Sequence, residues 1–318
     1  MVTIGVDLGG ANVSAVVLDG EESVGYAKLR TPGVGARTDV IEVIVAAALE
    51  ALKKAGRKRK DVVAIGLGSP GVVIDGTVGG ASNVPGFVER FPLAESVRNR
   101  IDVPVRVVND VTAAAVGEHR LGAGRGSDDV LAVFVGTGVG GGLVLGGRPY
   151  EGAHGGAGEI GHVVVRKGGA VCPCGRRGCV EAYAGRRAMT LAAARARDNG
   201  TATVLFDVAK KVKGEKVVTS SAFKEALDRG DTLVADLLDD AIDALGVGIA
   251  SAVNLLDVGV VVLGGGLADK LGERFRDRVD AAMRPHLFLQ PPRVRLVAAE
   301  LGDEGGAVGA AILARELG

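Results

Sequence analysis

Apolar runs that end in clustered glycines recur along this chain. Ile4-Gly5-Val6-Asp7-Leu8 runs into Gly9-Gly10, Val133-Phe134-Val135 into Gly136-Thr137-Gly138, and Val260-Val261-Val262-Leu263 into Gly264-Gly265-Gly266. Short apolar runs bounded by such breakers read as buried strands, and glycine lets the backbone turn at once or lie against a ligand. The first two runs each lead into another apolar run, so each reads as a strand, a glycine turn and a strand. Mixed α/β sequence follows both. The pattern therefore predicts two similarly built α/β halves facing a cleft, which suits the two domains expected of 318 residues. The 51 glycines are about twice the ordinary share and show no collagen-like triplet.

Charge and composition remove several function classes. Lys and Arg number 38, as do Asp and Glu, so the net charge is zero. That argues against a nucleic-acid binder held by phosphate contacts and against a surface drawn to anionic membrane. With 3% aromatic residues and no Trp, stacking platforms for bases or sugars are not expected. The most apolar stretch, residues 244–267, is broken by Asn254 and Asp257, so no membrane helix is expected. Met1-Val2-Thr3-Ile4 lacks a signal-peptide core and reads as the first strand. Three cysteines within eight residues suit reduced thiols in the cytoplasm.

The spacing predicts strands Val2–Leu8, Asn12–Leu18 and Val24–Arg30, then a helix Thr38–Ala55 with Thr38 as N-cap and Gly56 as its stop. Strand Val62–Leu67, a glycine- and proline-rich passage Gly68–Pro92, helix Leu93–Arg100, strand Val105–Val108 and helix Val111–Arg120 complete the first half. The second holds strands Val130–Val135 and Gly142–Leu145, and helices Arg186–Asp198, Ala222–Asp228 and Thr232–Leu255. Strand Gly259–Leu263, one helix to about Met283, strand Val294–Ala298 and a helix of about Glu304–Leu317 follow. That last helix is expected to pack back on the first unit.

Gly66/Gly68/Gly71 and Gly136/Gly138/Gly141 match the dinucleotide spacing, but strand-like sequence follows both, where a helix is needed. No Lys precedes a Ser or Thr, which excludes a Walker loop. The remaining reading is a β–turn–β loop whose bare backbone N–H groups hold phosphate. Asp7 beside such a loop suits Mg²⁺ or its waters; an ordinary hairpin with Asp7 capping its own turn is the alternative. Cys172, Cys174 and Cys179 with His162 form a four-ligand set for a structural Zn²⁺. His119, His154 and His286 have no such partners. Glu159 and Glu181 flank that loop, which would present both rigidly. Asp110 either caps the helix it starts or serves as the carboxylate that accepts a hydroxyl proton in phosphoryl transfer.

In order along the chain, Gly5-Val-Asp-Leu-Gly-Gly10, Gly68-Ser-Pro-Gly71, Asn83-Val-Pro-Gly-Phe87, Val108-Asn-Asp-Val-Thr112, Gly136-Thr-Gly-Val-Gly-Gly-Gly142, Gly158-Glu-Ile-Gly-His162, Cys172-Pro-Cys-Gly-Arg-Arg-Gly-Cys-Val-Glu181 and Val262-Leu-Gly-Gly-Gly-Leu267 resemble the ROK family of repressors, open reading frames and kinases. The resemblance spans nearly the whole chain. It implies the actin-like, hexokinase-type (ribonuclease H-like) α/β fold with two domains and a central cleft. The small domain would be residues 1–110 with 300–318, and the large one 111–299 with the zinc loop. It implies a cytoplasmic ATP-dependent glucokinase acting on the 6-hydroxyl of glucose, with Asp110 as general base. Gly71, Asn83, Asn109, Asp110, Glu159, His162 and Glu181 would bind the sugar. Asp7, Gly9, Gly10, Thr137, Gly138, Gly265 and Gly266 would serve ATP and Mg²⁺. His162, Cys172, Cys174 and Cys179 would hold structural Zn²⁺, and the protein would be a homodimer or homotetramer. Gly10-Ala11-Asn12 stands where the family has Gly-Thr-Lys, which removes a phosphate donor and predicts weaker ATP affinity or slower transfer. A kinase of N-acetylglucosamine, N-acetylmannosamine or another hexose, or a catalytically weak sugar sensor, is the alternative. A repressor would carry a helix-turn-helix ahead of the first glycine motif, which here starts at Ile4.

Overall fold

The computed structural model describes residues 1–81, 83–212 and 215–317. Ser82, in the glycine- and proline-rich passage, and Gly318, at the end of the expected small domain, lie outside the described residues. The chain divides into two compact units: Met1–Ala132, Gly142–Gly158 and residues 300–317 in one, Val133–Gly141 and Glu159–Ala299 in the other.

In chain order the elements run β1 (Val2–Leu8), β2 (Asn12–Asp19), β3 (Glu22–Arg30), α1 (Arg37–Lys54), β4 (Val62–Ser69), β5 (Val72–Ile74), β6 (Thr77–Gly79), β7 (Phe91–Pro92), α2 (Leu93–Ile101), β8 (Val105–Asn109) and α3 (Asp110–Leu121). After them come β9 (Val130–Val135), β10 (Val139–Leu145), β11 (Arg148–Pro149), α4 (Glu181–Ala184), α5 (Arg186–Asp198), β12 (Lys210–Val212), β13 (Glu215–Val217), α6 (Ser220–Asp228) and α7 (Thr232–Leu256). The chain continues through β14 (Val260–Gly264), α8 (Gly266–Leu271), α9 (Glu273–Met283), β15 (Arg295–Ala298) and α10 (Gly305–Ala314).

Two five-stranded sheets share one plan, β3-β2-β1-β4-β8 and β11-β10-β9-β14-β15. Each begins with a meander of three strands and adds two later ones on the other side. The weak repeat between Ile4 and Val133 is the trace of this shared plan. It is the sheet order of the actin-like, hexokinase-type fold.

The period of two in β1 explains the packing of the first unit. Val2, Ile4, Val6 and Leu8 join Val40, Ile41 and Ile44 of α1 in one buried cluster. Gly5 and Asp7 face the other way, toward α10. Gly5 is paired in register with Gly66 of β4, and Asp7 with Gly68. A Cβ on Gly5 would lie 1.7 Å from the Ala307 carbonyl oxygen, and one on Gly66 1.8 Å from that of Ala310. The glycine pair thus lets α10 settle directly on the sheet backbone. On its other side α10 meets α3 as closely, since a Cβ on Gly309 would lie 1.7 Å from the Ala113 carbonyl oxygen. In the second unit, α7 buries Leu238, Ala241, Ile242, Leu245 and Ile249 and packs on α9, α4 and α5.

Some boundaries differ from the sequence expectation for local reasons. Helix α1 starts at Arg37, because the Asp39 carboxylate accepts the Ala36 N–H at 2.8 Å, so Ala36 and not Thr38 is the N-cap residue. The helix expected to run unbroken to Met283 is split into α8 and α9 by Gly272, whose φ is +69°. The passage Gly68–Pro92 contains a small sheet, β5-β6-β7, made of strands two or three residues long.

Candidate active site

In the first unit, three parallel strands end together. Asp7 of β1 lies beside Gly68 of β4, and Gly68 beside Val108 of β8, one residue before Asn109-Asp110. The carboxyl ends of parallel strands are where α/β sheets bind ligands. Gly68 has no side chain, and a Cβ there would lie 3.3 Å from Asp110 Cα and 3.6 Å from Asp7 Oδ1. Gly306, in the first turn of α10, leaves similar room: its Cβ would lie 2.7 Å from Asp7 Cγ. Burial first, and then the Asp110 and Asp303 carboxylates, push Asp7 from 3.8 up to about 7, against an opposing pull from Lys28. Two mutually repelling carboxyls at a strand edge fit a divalent cation, whose charge removes that repulsion.

The next side chains are set by turns and caps. Asn109 Oδ1 accepts from the N–H groups of Val111 and Thr112 at 3.0 and 3.1 Å, so Asn109 is the N-cap of α3. Asp110 is the first helical residue and also accepts the Val111 N–H, at 2.9 Å. Asn109 Nδ2 donates to the Gly71 carbonyl at 3.3 Å. Gly71 has φ +91°, and a Cβ there would lie 2.4 Å from the Gly79 carbonyl oxygen, so only glycine fits this turn.

Asn83 is exposed on a loop whose floor is the fully buried Phe87, edge-on to Phe91 at 4.8 Å between ring centroids. Arg37 secures that loop, donating from Nε to the Gly86 carbonyl at 2.9 Å while its guanidinium lies 4.0 Å over the Phe91 ring. The first glycine turn touches Asn83: a Cβ on Gly10 would lie 3.0 Å from Asn83 Nδ2. That turn is held by its own backbone and by Thr31. Gly9 N–H donates to the Asn12 carbonyl at 2.9 Å, and the Thr31 hydroxyl donates to the Gly9 carbonyl at 2.6 Å.

In the second unit, His162, Cys172, Cys174 and Cys179 bring four donor atoms within 4.8 Å of one another. Cys172 Sγ is 3.7 Å from His162 Nδ1, and Cys174 Sγ is 3.8 Å from Cys179 Sγ. Tetrahedral zinc with Zn–S bonds of about 2.3 Å has S···S edges of about 3.8 Å, so the cluster fits the ion. Gly178 (φ +83°) lets the loop close, since a Cβ there would lie 1.7 Å from the Arg166 carbonyl oxygen. Burial pushes the Cys172 thiol up to about 12 and that of Cys179 upward. The Arg176 backbone N–H and then its side chain draw Cys174 down to about 6. A central cation allows all three to ionise together. With Nδ1 facing the sulfurs, His162 Nε2 points toward Glu159, 3.9 Å away.

The second glycine turn is held from two sides by side chains. Glu181 Oε2 accepts the Val139 N–H at 2.9 Å, and a Cβ on Gly138 would lie 2.2 Å from that oxygen. Arg186 donates from Nη2 to Thr137 Oγ1 at 2.8 Å. The backbone N–H groups of Arg186 and Arg187 donate to the Gly136 and Thr137 carbonyls at 3.1 and 3.0 Å. Gly265, with φ +92°, lies against the end of β9, where its Cβ would be 2.7 Å from Val135 N. Gly266 follows as the first residue of α8.

The expected residues therefore fall into two groups. Asp7, Gly9, Gly10, Gly71, Asn83, Asn109 and Asp110 gather in the first unit. Thr137, Gly138, Glu159, His162, Cys172, Cys174, Cys179, Glu181, Gly265 and Gly266 lie in the second. Arg186 and Arg37 escaped the sequence reading. A signal for the first existed: two arginines opening a helix oppose its macrodipole, so their placement there calls for a reason.

The family model described as "ROK family" matches residues 3–317. The glucokinase of Streptomyces coelicolor is 35% identical over 321 residues, covering 99% of this chain and 98% of that protein. The ROK hexokinase of Thermus thermophilus superposes with a TM-score of 0.84 at 35% identity, over 100% of this chain and 99% of that one. A ROK family glucokinase of Streptomyces griseus, solved with glucose and AMPPNP, gives a TM-score of 0.82 at 35% identity, over 99% of this chain and 100% of that one.

Proposed function

This chain belongs to the ROK family, and from that premise we propose that it is an ATP- and Mg²⁺-dependent glucokinase that forms glucose 6-phosphate. The observation that carries the reading is the pair Asp7 and Asp110 at the carboxyl edge of the first sheet, with capping of α3 carried out by Asn109. The relative bound to glucose and AMPPNP supports the same substrates here.

In this reading Asp110 accepts the proton of the sugar 6-hydroxyl. The oxygen attacks the γ-phosphorus of ATP, the new O–P bond forms as the bond to the β-phosphate oxygen breaks, and ADP leaves. Asp7 would hold Mg²⁺ through water, and the ion would supply positive charge beside the phosphates. The Gly9-Gly10 and Gly136–Gly138 turns and Gly265-Gly266 receive the nucleotide by backbone N–H groups, with the Thr137 hydroxyl beside them. Asn83, Asn109, Glu159, Glu181 and His162 Nε2 bind sugar hydroxyls, with the backbone at Gly71. His162 Nδ1 would join the three thiolates in holding zinc, which would fix the ring that presents Nε2, so the metal would be structural and act by orientation.

Among the described residues no helix is long and apolar enough to cross a membrane. An ATP-consuming sugar kinase with three free cysteines fits the cytoplasm. A homodimer or homotetramer is supported by Phe288 and Leu289, 85% and 49% exposed, beside an apolar hollow lined by Val253 and Val258. Light scattering after gel filtration tests that. The activity is tested by initial rates with ATP on glucose, N-acetylglucosamine and N-acetylmannosamine, with metal content measured on the same sample. Glucose turns over fastest if the reading is right; absence of ATP-dependent phosphorylation of glucose overturns it.

A further inference from the structure

The second glycine turn carries a cation that the family reading does not use. Arg186 is part-buried, and its Nη1 donates to the Val218 carbonyl at 2.5 Å while Nη2 holds Thr137 Oγ1 at 2.8 Å. Among the described residues it forms no ion pair, and burial alone pulls its guanidinium below the usual arginine range. A part-buried charge without a counter-ion costs free energy, and so does a cation in the first turn of α5. Something else must offset both.

We propose that Arg186 is a phosphate-binding residue of the phosphoryl-donor site, giving the second turn the cation and oriented hydroxyl that the first turn lacks. The inference rests on reading Gly136–Gly138 as a phosphate turn and adds a residue to it. Three geometric facts carry it. A guanidinium has five N–H groups, and two are used by Thr137 and Val218, which leaves others for an anion. Thr137 is exposed and accepts a hydrogen bond from Arg186, so its own hydroxyl proton is left to donate outward. The Gly136 and Thr137 carbonyls, which would repel phosphate, are tied back onto the N–H groups of Arg186 and Arg187. The turn thus hides its acceptors; its Gly136 and Val139 N–H groups are taken by the Gly138 carbonyl and by Glu181, which leaves the Thr137 hydroxyl and the Arg186 guanidinium to meet an anion. In the first turn Ala11 supplies no hydroxyl and no basic residue follows it, so that turn has no counterpart of the Thr137–Arg186 pair.

The test uses the full-length protein with Mg²⁺ and glucose present, and measures AMPPNP binding by calorimetry alongside KM for glucose and Tm. Arg186→Met is expected to weaken AMPPNP about 10- to 100-fold, the range for a charge-assisted hydrogen bond. KM for glucose should stay within about twofold. Arg186→Lys, which keeps the charge, should recover part of the loss. If Arg186→Met does not fold, Arg186→Gln keeps hydrogen-bonding reach without charge and should show the same loss. AMPPNP affinity within about twofold of the parent in the neutral variants, with a lowered Tm, would make Arg186 a staple for Val218 and overturn the proposal. A parent protein that neither binds AMPPNP nor phosphorylates glucose would instead bring down the phosphate-turn reading, which separates the two failures.

Discussion

The turns Leu8–Asn12 and Gly136–Gly138 occupy equivalent places in two sheets of the same strand order, yet they are furnished in opposite ways. The first is closed by backbone and by Thr31, and its nearby acids are Asp7 and Asp110. Lys28, which offsets part of their repulsion, is itself paired with Asp303 at 2.6 Å. The second turn is braced by Glu181 behind and Arg186 beside, and it carries the Thr137 hydroxyl. A shared backbone plan therefore supplies the position of a turn, while side chains from other elements decide its electrostatic task. One side suits a metal and a proton acceptor; the other suits the anion itself.

The sharpest break of this contrast is Asp110→Asn. If the first side holds the proton acceptor, kcat should fall about 10²- to 10⁴-fold. Tm should change little, because Asn109 remains to cap α3. Full turnover in this variant would leave the first sheet edge with only a positioning role. Next in size is the metal loop. Cys179→Ser, or removal of zinc by a chelator, should lower Tm by several degrees and raise KM for glucose about tenfold, with KM for ATP changing less. Equal effects on both KM values would show that the loop supports Glu181 and the turn as much as it supports His162.

Asp7 allows a pH test with a definite sign. Its folded value of about 7 lies above the ordinary 3.8. Between those values the folded protein keeps a proton that the unfolded chain has released, so stability falls as pH rises from about 4 to 7. The full shift corresponds to about 4 kcal/mol. In Mg²⁺-free buffer, Asp7→Asn should therefore gain Tm over the parent at pH 8 and gain almost nothing at pH 4, while activity is lost. A gain that is largest at low pH would contradict the environment described for this carboxyl. The smallest effect is expected of Ala11→Thr, which restores a hydroxyl to the first turn and should lower KM for ATP about two- to fivefold. No change there would mean that the second turn already saturates the phosphates.

Much of this architecture was legible because glycine spacing and strand period are local signals. The alternation Ile4-Gly5-Val6-Asp7 and the glycine turns marked strand ends that the structure keeps, and the cysteine spacing with His162 marked four donor atoms that the structure brings within 4.8 Å of one another. What escaped was settled by neighbours distant in sequence or by a single competing side chain. Asn109 takes the cap of α3 because it reaches the N–H groups of both Val111 and Thr112, whereas Asp110, one residue later, accepts that of Val111. Asp39 reaches back to Ala36 and starts α1 earlier than Thr38 suggested. Gly272 splits α8 from α9 because its left-handed φ overrides an apolar pattern that continues on both sides. Arg186 was invisible as a site because its uncompensated charge exists only once α5 meets Thr137 and Val218.

The seating of α10 on Gly5 and Gly66 also has a consequence for how the molecule is made. Strands β1 and β4 leave the ribosome some 240 residues or more before their cover is synthesised, so one face of the earliest sheet stays open through most of translation. Contacts of such long sequence separation close late and slowly. The nascent chain should therefore be a client for holding chaperones until residue 314 has emerged, and a protein stalled before that point should aggregate through its first-made half.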